Sequence, residues 1–198
     1  MEQGRTRYLQ ERFEIYQIEI DNDWIIADDL INYNAFNNII TNSLALGKKE
    51  FAISFLEKYQ PFLIPEMRED LVLYNRARIA FAKKDFSTCL SLAQQTAYLD
   101  TLITLGVKRL QIMCKFEQGD SEQLLDDLNS FNVYLHRMAG SQGVVKTRNK
   151  AFVKAAKLLD KAFLKNNEPK FKERLNTLLK AHPLMPEREW LEEKLQDL

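Results

Sequence analysis

The feature that most constrains this chain is a helix-turn-helix pattern that is written twice between Asn34 and Asp100. In each copy a helical pattern reaches a tight turn, first at Gly47–Lys49 and then at Lys83–Asp85, and a third turn follows at Gly119-Asp120. The copies are offset by about 37 and about 35 residues, which is the spacing of stacked helical hairpins. Five positions after Gly47, Lys84 and Gly119, each second helix carries a small or apolar residue: Ala52, Cys89 and Leu124.

The remaining pattern is also helical. No stretch alternates at period two for long enough to form a sheet, so we expect an all-α fold. A chain of 198 residues that is 45% hydrophobic can bury the core of one domain or one continuous array. We predict a single helical-repeat domain over 1–198, with hairpins over about 30–138 and capping helices over 139–198. The capping part contains a long helix, Val144–Lys165, and a short terminal helix from Glu187 to Leu195.

Particular residues are expected to begin the helices. Asp28 or Asp29 is predicted to cap the helix that runs to Leu46, and Ser121 is predicted to cap the helix after the third turn. The first helix is expected from Thr6 to about Glu19.

The copies resemble the tetratricopeptide (TPR) pattern, which places small residues at the eighth and twentieth positions of each repeat. Ala77 and Cys89 suit both places in the middle copy, whereas Ile40, Ile112 and Leu124 depart from the pattern. The tail, with Tyr74–Ala77 upstream, is also similar to the carboxy-terminal part of a group of uncharacterised bacterial TPR-like proteins; the tail residues are His182-Pro183-Leu184 and Arg188–Leu195. The resemblance implies a right-handed α-α superhelix of TPR-like hairpins.

The resemblance also implies a binding groove, because particular places of each first helix line the concave side of TPR arrays. Here those places hold Asn34, Asn37, Asn38 and Thr41, then Tyr74, Asn75 and Arg78, then Arg109, Met113 and Phe116. Asparagine amides there could hold the backbone of a partner peptide, and the arginines could pair with a carboxylate. The alternative is that the asparagines satisfy one another between helices.

A basic stripe is the second candidate site. Residues 146–172 hold 9 basic and 2 acidic side chains, although the whole chain has no net charge. Six lysines step by three or four residues and therefore share one helical face: Lys146, Lys150, Lys154, Lys157, Lys161 and Lys165. The stripe could meet nucleic-acid phosphates, an anionic membrane or an acidic protein, or it could be the solvated side of an end helix. No aromatic residue interleaves with it for base stacking.

Catalytic motifs are missing from the sequence. It contains no Gly-rich phosphate loop, no His-Glu-x-x-His and no Gly-x-Ser-x-Gly, and His136 and His182 lack neighbours at ligand spacing. Cys89 and Cys114 are interpreted as core residues in a reducing compartment. We therefore expect a non-enzymatic, cytoplasmic protein-interaction scaffold without metal or organic cofactor, whose partner is a protein or peptide. The alternative is a nucleic-acid-associated accessory protein that uses the basic stripe.

Overall fold

In the computed structural model, which describes residues 2–97, 101–138, 143–164 and 168–198, helices follow one another along the chain. The helices are α1 (Glu2–Asp21), α2 (Tyr33–Ala45), α3 (Lys49–Tyr59), α4 (Pro65–Ala82), α5 (Phe86–Gln95), α6 (Thr101–Glu117), α7 (Ser121–Arg137), α8 (Gly143–Leu164), α9 (Pro169–Ala181) and α10 (Arg188–Gln196). A 3₁₀ turn, Gln60–Phe62, and a two-residue hairpin of β1 (Ile26–Ala27) and β2 (Leu30–Ile31) complete the regular structure of the described residues. The predicted all-α class is confirmed for them.

The chain forms two compact units, Met1–Leu110 and Gln111–Leu198, and the division falls within α6. Helices α1 to α5 belong to the first unit, and α7 to α10 belong to the second. The single repeat domain over 1–198 stays a prediction, as does the right-handed superhelix.

The three predicted hairpin turns have the same backbone geometry. Gly47, Lys84 and Gly119 all take left-handed conformations, with φ of 71°, 63° and 72°. The next amide in each turn donates to a carbonyl five residues back, at 2.8 Å for Lys48, 3.0 Å for Asp85 and 3.0 Å for Asp120. This pair of features is the Schellman motif, which satisfies the last carbonyls of a helix and reverses the chain. The spacing of the repeats in the sequence therefore matches the spacing of three equivalent turns in the structure.

The same register fixes which side chains are buried where paired helices meet. Ala52, Cys89 and Leu124, each five positions after the left-handed residue, are 0% exposed. The small or apolar residue that recurs after each turn is therefore a core residue in all three hairpins.

Lys84 is the non-glycine member of the three turn positions, so the motif supplies a matched test. Left-handed backbone costs an L-residue about 1–2 kcal/mol, and glycine avoids this cost. We expect Lys84→Gly to stabilise the protein by about 0.5–1 kcal/mol and Gly47→Ala to destabilise it by about 1 kcal/mol. A Cβ added at Gly47 meets no atom within 4 Å, so backbone strain alone is measured there. Urea unfolding of both variants checks the signs, and a less stable Lys84→Gly variant would contradict the assignment.

Two predicted helix caps are wrong. Asp28 and Asp29 have φ of 50° and 60° and form the turn of the β hairpin, because two consecutive left-handed residues match its twist. Asn32 caps α2 instead, accepting from the amide of Asn34 at 2.9 Å. Asp120 rather than Ser121 caps α7, and it accepts from the amide of Gln123 at 3.2 Å.

In the first unit, helices pack in sequential pairs around aromatic and small side chains. Phe13 of α1 meets Phe51 of α3 edge to face, with ring centroids 4.9 Å apart. Helix α2 contacts both α3 and α4, while α4 packs along α5. Polar side chains of α2 and α4 are therefore close enough to bond one another.

In the second unit, α8 lies between α7 and α9 and also contacts α10. Trp190 of α10 is 7% exposed, and its ring lies edge-on to Phe116 at 5.4 Å. Its indole Nε1 donates to Glu117 Oε1 at 2.7 Å. This tryptophan therefore docks the terminal helix against the end of α6. One face of α8 is left open to solvent.

Candidate functional site

The asparagines predicted to line a groove form a hydrogen-bonded connection between α2 and α4. Asn75 is 0% exposed, and its Nδ2 donates to Asn37 Oδ1 at 2.6 Å and to the Leu71 carbonyl at 2.8 Å. A buried amide needs such partners, because an unmade hydrogen bond costs more than a made one contributes. Asn37 and Asn75 thus satisfy one another between helices, as the alternative interpretation expected.

Arg78 extends this network to the surface. Its Nη1 donates to Asn75 Oδ1 at 3.2 Å and to the Asn37 carbonyl at 3.4 Å, and its Nη2 donates to Thr41 Oγ1 at 2.6 Å. All three acceptors are neutral oxygens, and Arg78 forms no ion pair with any described residue. The half-buried guanidinium is therefore held in place without a counter-charge.

Exposed polar side chains continue along α2 from Thr41, which accepts a hydrogen bond from this guanidinium. Asn34, Asn38 and Thr41 lie one turn apart on α2 and are exposed. Tyr74 lies beneath Arg78, whose guanidinium carbon is 5.5 Å from the ring centroid. We call these residues, Asn34, Asn38, Thr41, Tyr74 and Arg78, the Arg78 surface.

A glycine in α6 makes room for Tyr74. Gly106 lies in the helix interior, where alanine is favoured by about 1 kcal/mol. A Cβ at this position would lie 2.6 Å from Tyr74 Cζ and 2.9 Å from Cε2, closer than carbon atoms pack. The glycine therefore permits the tyrosine ring to sit where it meets Arg78.

This close approach predicts that Gly106→Ala changes stability in opposite directions in the presence and in the absence of the Tyr74 ring. Gly106→Ala should destabilise the protein by about 1–2 kcal/mol, because overpacking outweighs the gain in helix propensity. In a Tyr74→Ala background the same change should stabilise it by about 1 kcal/mol, since the clash is gone. Chemical denaturation of the four proteins of this cycle measures the coupling. Equal effects of Gly106→Ala in both backgrounds would show that the ring does not pack against Gly106.

Other predicted groove residues lie elsewhere. Asn75 and Met113 are 0% and 3% exposed, so both are interior and cannot present a surface to a partner. Phe116 is half-buried and meets the rings of Phe163 and Trp190 at 5.1 and 5.4 Å. Arg109 is half-buried and already makes protein contacts. The predicted groove residues that remain at the surface and are not yet accounted for therefore lie on α2 and α4.

The basic stripe is split by the structure. Lys146 Nζ donates to the carbonyls of His136 and Met138 at 3.1 and 3.0 Å, which closes the C-terminal end of α7. Lys165 lies outside the described residues. Lys146 therefore has a structural role and is not one of the lysines available to a ligand.

The other lysines open onto a cleft of about 280 Å³, which we call the α8 cleft. Lys157 Nζ donates to Asn129 Oδ1 of α7 at 2.7 Å, and Arg174 of α9 joins the lining. Sequence reasoning missed Arg174, because only the packing of α9 against α8 brings it to this face. The lining residues are Asn132, Lys150, Val153, Lys154, Lys157, Leu158, Lys161 and Arg174.

The acidic residue of α8 does not neutralise the cleft. Asp160 is 3% exposed and points toward α7, where Ser121 Oγ donates to its Oδ1 at 3.0 Å. Its Oδ2 accepts no hydrogen bond from the residues that the structure describes. Burial raises the pKa of Asp160, against smaller lowering effects from Ser121 and the charge of Lys161.

The raised pKa of Asp160 predicts in which direction its charge changes the stability of the fold. A carboxyl group that binds protons more readily in the folded chain destabilises that chain when ionised, so the penalty is full above the folded pKa and fades as the pH falls through it. Asp160→Asn removes the charge and keeps an oxygen for Ser121. We expect the variant to have a higher urea midpoint than the parent at pH 7, and the difference to shrink in acid. A variant less stable at pH 7 would show that the ionised carboxylate is structurally required.

Comparisons with known proteins do not identify the chain: no protein-family model, curated protein or solved structure matches it significantly. Within the described residues, no group of three or more His, Cys, Asp or Glu side chains could hold a metal ion. No helix in the same part of the chain is both long and apolar enough to cross a membrane.

Proposed function

We propose that this chain is a non-enzymatic protein-interaction scaffold that holds a carboxylate-bearing segment of a partner protein on the Arg78 surface. The proposal rests on the position and the hydrogen bonds of the Arg78 guanidinium. A guanidinium offers a rigid fork of donors matched to a carboxylate, and here three neutral oxygens already fix its position. Because folding has already ordered the side chain, a partner need not do so, and this lowers the entropic cost of binding.

Neighbouring amides supply the second element of recognition. The side chains of Asn34 and Asn38 are exposed and have no hydrogen-bond partner in the described part of the chain. Each offers a donor pair and an acceptor, which suits the peptide groups of an extended segment. Arg78 would thus fix the carboxylate while the two asparagines hold the adjacent backbone.

The proposed setting follows from the same features. The three equivalent turns support a TPR-like right-handed superhelix, in which first helices line the groove. Both cysteines are free and buried, which favours a reducing, cytoplasmic compartment.

The test compares peptides that differ only in their carboxylates. A random peptide array is prepared with free and amidated C-termini, and with Asp and Glu replaced by Asn and Gln in duplicate sets. Wild-type binding should require a carboxylate. Arg78→Lys should weaken it by tenfold or more, because a lysine keeps the charge but not the fork, and a hydrogen bond to a charged group contributes about 1.5–3 kcal/mol. Asn38→Ala should weaken it several-fold.

Arg76→Ala is the matched control, since Arg76 is an exposed arginine of the same helix. Its binding should equal that of the wild type, and urea unfolding must show that every variant is folded under the assay conditions. Carboxylate-dependent peptides that bind Arg78→Lys and Asn38→Ala as tightly as wild type would exclude this surface. An array without any carboxylate-dependent ligand would reject the proposal.

A further inference from the structure

We propose that the α8 cleft binds the phosphate backbone of double-stranded nucleic acid without sequence preference. This inference is independent of the Arg78 surface. It starts from the composition of the cleft, which five cationic side chains and no carboxylate line. Helix α8 carries six basic side chains, and its one acidic side chain, Asp160, is buried on the α7 side.

Stability does not explain this arrangement. Lys150, Lys154, Lys157 and Lys161 are three or four residues apart, and like charges at these spacings destabilise a helix. An ordinary solvated helix face alternates acids with bases, whereas this face lacks acids. Lys150, Lys154, Lys161 and Arg174 have no hydrogen-bond or ion-pair partner among the described residues. Their charges are therefore available to an external anion.

The spacing of the charges suits a chain of phosphates. At a rise of about 1.5 Å per residue, Lys150 and Lys161 are separated by about 16 Å along α8. One strand of a duplex has a phosphate about every 3.4 Å along the axis, so the row spans about five nucleotides. Arg174 widens the row from the side of α9.

The uncharged lining distinguishes between possible polyanions. Val153 and Leu158, the apolar residues of the lining, are 4% and 7% exposed, so neither offers a partner a large apolar contact. Tight protein interfaces centre on buried anchor side chains, and membrane-surface helices add buried apolar area to charge attraction. No aromatic side chain lines the cleft, and single strands therefore lack a stacking platform. The main contribution left to binding is therefore the attraction between charges. A duplex gains more from this attraction than a single strand, because its phosphates are more densely spaced along the axis.

The experiment measures fluorescence anisotropy of a labelled 20-base-pair duplex with the full chain over a salt series. If all five cations meet phosphates, log K should fall against log salt with a slope of about −4.5. The triple variant Lys150→Gln, Lys154→Gln, Lys161→Gln should bind at least about tenfold more weakly, with a slope of about −2. Its melting temperature should equal or exceed that of the parent, because like-charge repulsion is relieved. Arg78→Lys should bind the duplex normally.

The matched control neutralises three exposed lysines outside the cleft: Lys83→Gln, Lys84→Gln and Lys180→Gln. This variant has the same net charge as the first triple and should keep the wild-type slope. An equal loss in both triples would attribute binding to net charge and overturn the proposal. Tighter binding of a single strand of the same length, of poly-glutamate or of phosphatidylserine vesicles would equally overturn the assignment to a duplex.

Discussion

The turn that closes each helical hairpin is the constraint on which the rest of this structure depends. A residue with positive φ, followed by an amide that bonds five residues back, stops one helix and directs the next one beside it. Because the reversal takes so few residues, the helices meet almost at once. Ala52 and Cys89 lie at these meeting points and are fully buried. Small side chains there permit the close approach that larger ones would prevent.

This packing brings α2 and α4 together and determines what their polar residues do. The Asn37–Asn75 bond satisfies an amide that α4 buries, and the same Asn75 side chain supplies an oxygen that holds Arg78. One network therefore stabilises the helix pair and positions a cation at its edge. Gly106 serves the same end from α6, because its missing side chain leaves space for the ring beneath Arg78.

Local signals made the helices and turns predictable from sequence. The register of the hairpins could be read because turn residues and helical periodicity act over a few positions. Features that depend on distant partners could not be read. Asn75 is buried because α2 covers it, and Lys146 bonds the end of α7 instead of facing solvent. Arg174 joins the α8 cleft only through the packing of α9.

The two cationic features differ in how folding has prepared them for an anion. Arg78 is a single guanidinium whose fork is fixed by three neutral oxygens, and under our proposal this fixed geometry would select among anions. Most cations of the α8 cleft are ammonium groups on flexible stems, and of its lysines Lys157 alone is bonded to a described residue. Flexible charges adapt to any row of phosphates but distinguish poorly between sequences. Hence the Arg78 surface suits a defined ligand, whereas the α8 cleft suits a repeated one whose charge density sets the affinity.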